Sequence, residues 1–122
     1  MSAWTWLAVA LLGGVGAIAR FTIDALISGR PGAGDLPLGT LAVNASGSLL
    51  LGLLSGLAVG GSLLVIAGAA TIGSYTTFST WALETQRLLE DADSRAAALN
   101  VLLSLAAGLG AAALGRAIGA HL

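Results

Sequence analysis

Leu36–Leu83 reads LPLGTLAVNASGSLLLGLLSGLAVGGSLLVIAGAATIGSYTTFSTWAL, 48 residues without one charged side chain. A membrane-spanning helix needs about 20 mostly apolar residues. A run of this length therefore holds two spans, folded back on each other at Gly60-Gly61. Outward from it, residues 1–19 and 96–115 are also free of charge, and each supplies one more span. The first run is too long for the apolar core of a secretory signal and has no positive charge before it. The reading is an all-α membrane protein of four helices, in one domain, with spans at about 4–27, 38–59, 62–86 and 96–118.

Composition agrees. Of 122 residues, 57% are hydrophobic and 9% are charged, whereas soluble domains carry about 25% charge because their surface must face water. The five basic residues are all arginine and the net charge is −1. That balance excludes nucleic acid as a partner, since phosphate binding needs clustered Lys and Arg. With no cysteine and a single histidine, His121, there is no thiolate metal site and no nucleophile–base pair within the spans. An enzyme is excluded on that ground. Ser28-Gly-Arg-Pro-Gly-Ala-Gly-Asp35 forms a turn-rich loop, Trp4 and Trp6 sit as interfacial anchors, and Glu90-Asp-Ala-Asp93 is the most water-loving segment.

Helices in lipid associate by close packing of small residues, and these recur at helical spacing: Gly13, Gly14, Gly16 and Ala17; Gly52, Gly56 and Gly60; Gly108, Ala111, Ala112 and Gly115. Packing within one subunit accounts for most of them, and an interface between subunits for the rest.

The polar residues at membrane depth carry the functional signal. Thr40, Asn44 and Ser48 recur every four positions and share one helical face; Asn100 and Ser104 repeat the spacing on the fourth span. An unpaired amide in hydrocarbon is costly, so Asn44 ties helices together or lines a wet path. Between Gly73 and Thr80, six of eight residues carry hydroxyls: Ser74, Tyr75, Thr76, Thr77, Ser79 and Thr80. Hydroxyl-bearing and β-branched residues compete with helix geometry, so the third helix is expected to break here. Freed backbone at membrane depth needs protein or a water-lined cavity around it, and freed carbonyls are hard ligands suited to a cation such as Na+. Arg20 and Asp24 lie one turn apart near the end of the first span, placed to pair or to reach the interface.

Three motifs in order resemble the Fluc (CrcB-type) fluoride channels: Gly13-Gly-Val-Gly-Ala-Ile-Ala-Arg20; Gly39-Thr-Leu-Ala-Val-Asn44 with Gly47 and Ser48; and Gly73-Ser-Tyr-Thr-Thr-Phe-Ser-Thr-Trp81. The resemblance covers nearly the whole chain. It implies an antiparallel, dual-topology dimer with two fluoride pores and a structural Na+ at the subunit interface, in the cell's inner (plasma) membrane. Gly73 and Thr76 would give backbone carbonyls to the Na+. Asn44 would hydrogen-bond fluoride, with Phe78 and Trp81 as the pore aromatics and Thr40 and Ser104 on a polar track. Asn100 stands where many members carry tyrosine. Thr77, Ser79 and Thr80 complete the pore set, and Arg20 and Glu84 would line a vestibule. Trp81 departs from the family's usual phenylalanine: an indole keeps positive ring edges but adds size and an N–H donor.

Fluoride is strongly hydrated, so a pore must offer donors in place of water without binding the ion too tightly to release it. Amides, hydroxyls and ring edges do this. The expected activity is passive escape of cytoplasmic fluoride down its electrochemical gradient. The alternatives are a small multidrug/proton antiporter, which needs a carboxylate deep in a span, and a non-transporting membrane assembly subunit. Arg30, Arg87 and Arg95 on one side against Arg116 on the other give a mild topological bias, compatible with a homodimer; a paralogous subunit would make a heterodimer.

Overall fold

The computed structural model describes residues 1–29 and 34–122. Arg30, and with it the centre of the expected loop at 28–35, lies outside the described residues. The described residues are helical, and four of the helical stretches are long and apolar enough to cross a membrane: Ala3–Ser28, Leu38–Gly56, Gly61–Glu90 and Ser94–Ala120. Helix α1 spans Ala3–Ser28 and α2 spans Leu38–Gly56. The third span is composite. It opens with α3 (Gly61–Leu63), widens into a π-helix over Leu64–Ile72, and closes its first half with α4 (Gly73–Tyr75). After a break it resumes as α5 (Ser79–Glu90), and α6 (Ser94–Ala120) forms the fourth span.

Local chemistry sets the ends. The Ser2 hydroxyl accepts from the Thr5 amide at the start of α1, and the Asp93 carboxylate accepts from the Ala96 amide at the start of α6. Each satisfies one of the amides that a helix start leaves unpaired. Helix α2 stops at Gly56, short of the expected 59, because Ala58 turns into the left-handed region at φ 53°. Gly61, at φ 60°, makes the return where a side chain would be strained.

Two pairings build the bundle. Helix α2 lies along α6, and α1 lies along the π-helix and α4. In the α2–α6 seam, a Cβ on Gly52 would strike the Ala112 carbonyl, and one on Gly115 would strike the Leu49 carbonyl. Gly56 and Gly119 meet the opposite backbone in the same way. Gly52, Gly56, Gly115 and Gly119 are therefore used inside the subunit. Gly14, Gly60 and Gly110 have nothing within 4 Å of a built Cβ. On the other side, Gly16 of α1 abuts the Thr71 carbonyl of the π-helix.

Buried apolar residues are few and mostly small, such as Ala70, Ala96 and Ala97, while Trp4 is 80% and Leu109 72% exposed. A water-soluble protein does not present apolar surface on this scale. Lipid is the solvent these faces require.

Candidate functional site: a backbone break gripped by an asparagine

The third span breaks between Tyr75 and Ser79, where Thr76 is extended at φ −84°, ψ 161°. Asn44 of α2 holds the break from across the bundle. Its Nδ2 donates to the Thr77 carbonyl at 2.8 Å, and its Oδ1 accepts from the Thr77 amide at 2.8 Å. One side chain thus satisfies both backbone groups of the residue at the break. The second N–H of the amide has no protein partner among the described residues.

That grip reroutes the local hydrogen bonds. In a continuous helix the Thr77 amide would bond the Gly73 carbonyl; it goes to Asn44 instead. The Thr80 amide would bond the Thr76 carbonyl; it goes to the Thr77 hydroxyl at 3.2 Å, which caps α5. The Thr77 hydroxyl also donates to Thr80 Oγ1 at 3.0 Å and lies 3.5 Å from Ser79 Oγ. The carbonyls of Gly73 and Thr76 are consequently free of protein donors among the described residues. A hard cation is satisfied by such oxygens. Tyr75, one residue before the break, is fixed by its hydroxyl against Ser46 of α2 at 2.8 Å.

Two cavities meet at this point. A cavity of about 790 Å³ takes in Asn44, Gly73, Thr76, Phe78, Trp81 and Ser104, and a smaller one of about 160 Å³ takes in Arg20, Asp24, Thr40 and Thr80. Thr77 lines both. The break is the wall between them. Phe78 is 76% exposed and its ring lies 5.3 Å from that of Trp81, tilted by 58°.

The remaining residues singled out in the sequence fall close by. Buried Thr40 donates to Glu84 Oε1 at 2.9 Å, while Glu84 Oε2 is buried without a hydrogen-bond partner. Thr40 and Glu84 therefore act together. Ser79 is exposed and lines neither cavity. Asp24 accepts from Ser28 at 3.0 Å, and no ion pair joins it to Arg20 among the described residues.

Sequence reading passed over Thr85. Its hydroxyl donates to the Trp81 backbone carbonyl at 2.9 Å and accepts from the buried Asn100 side-chain amide at 2.8 Å, and the Trp81 indole N–H donates to the Asn100 backbone carbonyl at 3.4 Å. The spacing of Trp81 and Thr85, one helical turn, was the available signal.

A four-span helical bundle whose third helix is interrupted beside an intramembrane amide is a multi-pass membrane protein whose broken backbone must be buried in protein or line a cavity. Comparison with known proteins agrees and narrows the class. The CrcB family (CrcB-like protein, Camphor Resistance) matches residues 7–116, and this chain belongs to it. Among its relatives, fluoride-specific ion channel FluC 2 of Mycolicibacterium paratuberculosis is 50% identical over 111 residues, covering 91% of this chain and 90% of the relative. Fluoride-specific ion channel FluC 1 of Symbiobacterium thermophilum is 48% identical over 120 residues, covering 94% and 97%. FluC 2 of Mycobacterium bovis is 47% identical over 111 residues, covering 91% and 87%. This is an ion-channel family and not an enzyme family.

Proposed function

We propose that this chain is the subunit of a passive, fluoride-selective channel of the plasma membrane, which lets cytoplasmic fluoride leave down its electrochemical gradient. The observation that carries the reading is the Asn44 amide, bonded to both backbone groups of Thr77 where two cavities share that residue. Relatives at about half identity over most of the chain are named for fluoride.

The chemistry is that of a neutral anion path. Asn44 is held rigidly by Thr77 and keeps one N–H for an ion. The Ser104 hydroxyl and the edges of Phe78 and Trp81 line the same cavity, and ring edges carry partial positive charge. These groups replace water around fluoride without a fixed cation, which would retain the ion. Arg20 lies with Asp24, Thr40 and Thr80 in the smaller cavity, a vestibule carrying both signs of charge on the approach to the break.

The functional unit in this reading is an antiparallel, dual-topology dimer, a homodimer unless a paralogous subunit takes the second place. The free carbonyls at residues 73 and 76 and the exposed Phe78 ring support it, since groups of this kind at membrane depth call for a covering surface. The carbonyls of Gly73 and Thr76 fit a structural Na+ at that interface. When bound, such an ion adds a positive charge that favours anions nearby.

Purified protein in liposomes tests the proposal. Fluoride-selective efflux is expected, reduced when an organic cation replaces Na+. No efflux, or equal chloride flux, overturns it in favour of an assembly subunit; flux coupled to protons and organic cations would favour an antiporter.

A further inference from the structure

Trp81, Thr85 and Asn100 form a closed hydrogen-bonded ring between α5 and α6. Thr85 Oγ1 donates to the Trp81 backbone carbonyl, Asn100 Nδ2 donates to Thr85 Oγ1, and Trp81 Nε1 donates to the Asn100 backbone carbonyl. Asn100 is 4% exposed. Trp81 faces the large cavity, whereas Thr85 and Asn100 lie outside its lining. The indole nitrogen is therefore held by the α6 backbone at residue 100, and the Asn100 side chain ties that backbone through Thr85 to the Trp81 carbonyl.

We propose that Thr85 and Asn100 are positioning residues that fix the tilt of the Trp81 indole against Phe78 and keep its N–H turned onto α6, so that the cavity meets carbon ring edge instead of a strong N–H donor. The consequence for transport rests on the fluoride-channel reading; the positioning itself does not. An indole N–H is a full hydrogen-bond donor, and a mobile one would detain a strongly hydrated anion, whereas conduction requires weak binding and ready exit. Tethering the N–H lets a tryptophan serve as an aromatic wall. Thr85 is the hinge of the ring, since its single hydroxyl both donates and accepts.

The experiment uses full-length protein in liposomes with Trp4→Phe and Trp6→Phe, which leaves Trp81 as the sole tryptophan, excited at a wavelength that tyrosine does not absorb. Thr85→Val and Asn100→Leu are expected to raise acrylamide quenching of Trp81 and lower its anisotropy, and to reduce fluoride efflux about fivefold, the factor one net hydrogen bond is worth. Thr85→Ser, which keeps the hydroxyl, should restore both. With Trp81→Phe in place, no N–H remains to tether, so Thr85→Val should change flux by less than about twofold, the non-additivity expected of residues acting through one another. Unchanged quenching and anisotropy in both Thr85→Val and Asn100→Leu overturns the positioning role. An effect of Thr85→Val that persists undiminished on Trp81→Phe also overturns it. If Trp81 fluorescence responds as expected but the parent protein passes no fluoride, the channel reading fails and the positioning stands.

Discussion

The α2–α6 pair and the third span are built on opposite physics within one small bundle. Helices α2 and α6 approach backbone to backbone, with Gly52 and Gly56 against one partner and Gly115 and Gly119 against the other. Nothing polar is needed there, because small residues alone bring the helices within dispersion range. The third span is wide, irregular and hydroxyl-rich. Its π-helix at Leu64–Ile72 spoils the usual ladder, Thr71 Oγ1 reaches back to the Ile66 carbonyl at 2.8 Å, and the chain then breaks at Thr76–Phe78. A close-packed pair holds the scaffold, and beside it stands an irregular, polar element. Asn44 connects them: it stands on α2 and grips the break.

If that division is right, damage to the seam should cost folding and damage to the break should cost transport. The largest effect belongs to Gly115→Leu, whose side chain must displace the Leu49 carbonyl. Overpacking of this kind costs about 2–3 kcal/mol. Size-exclusion profile and thermal midpoint in detergent should show loss of monodisperse protein. Gly110→Leu, with nothing within 4 Å, should leave both unchanged.

Asn44→Leu comes next. It strands the Thr77 amide and carbonyl together, at a cost of about 2 kcal/mol, and should abolish fluoride efflux while the α2–α6 pair still yields a monodisperse protein. Asn44→Asp keeps an acceptor for the Thr77 amide but sets a carboxylate against the Thr77 carbonyl. Efflux should fall by about tenfold, or ~1.4 kcal/mol. Wild-type flux from that variant would remove Asn44 from the path.

Thr40→Val takes away the hydrogen bond of the Glu84 carboxylate, whose other oxygen has none. The expected loss is about 1–2 kcal/mol, seen as a lower thermal midpoint together with reduced efflux, and Thr40→Ser should recover most of both. The smallest effect is that of Thr77→Val, which removes the cap of α5 at about 1 kcal/mol. Thermal unfolding should detect it, with Thr77→Ser close to the parent.

Much of this organisation was legible in the residues. Scarcity of charge specified four spans, and the hydroxyl run after Gly73 marked the break, because both are properties of short contiguous stretches. The importance of Asn44 was legible too, since a buried amide must find partners. Its partner was not: Thr77 is 33 positions away, and only the packing of α2 on the third span chooses it. The π-helix was hidden for another reason. LVIAGAATI is an ordinary apolar run, and its wider turns are seen only in the packed bundle, where the Thr71 carbonyl lies against Gly16 of α1 and Thr71 Oγ1 bonds the Ile66 carbonyl.

The sequence by itself determined the solvent, the number of spans and the place where the backbone must open. Composition and helical periodicity act locally and need no knowledge of neighbours. Tertiary structure alone decided which small faces are spent inside the subunit, that Thr40 and Glu84 are one unit, and that Trp81 is tied through Thr85 to Asn100. A hydrogen bond across helices depends on rotation and register between them, and those are settled by the packing of the whole bundle.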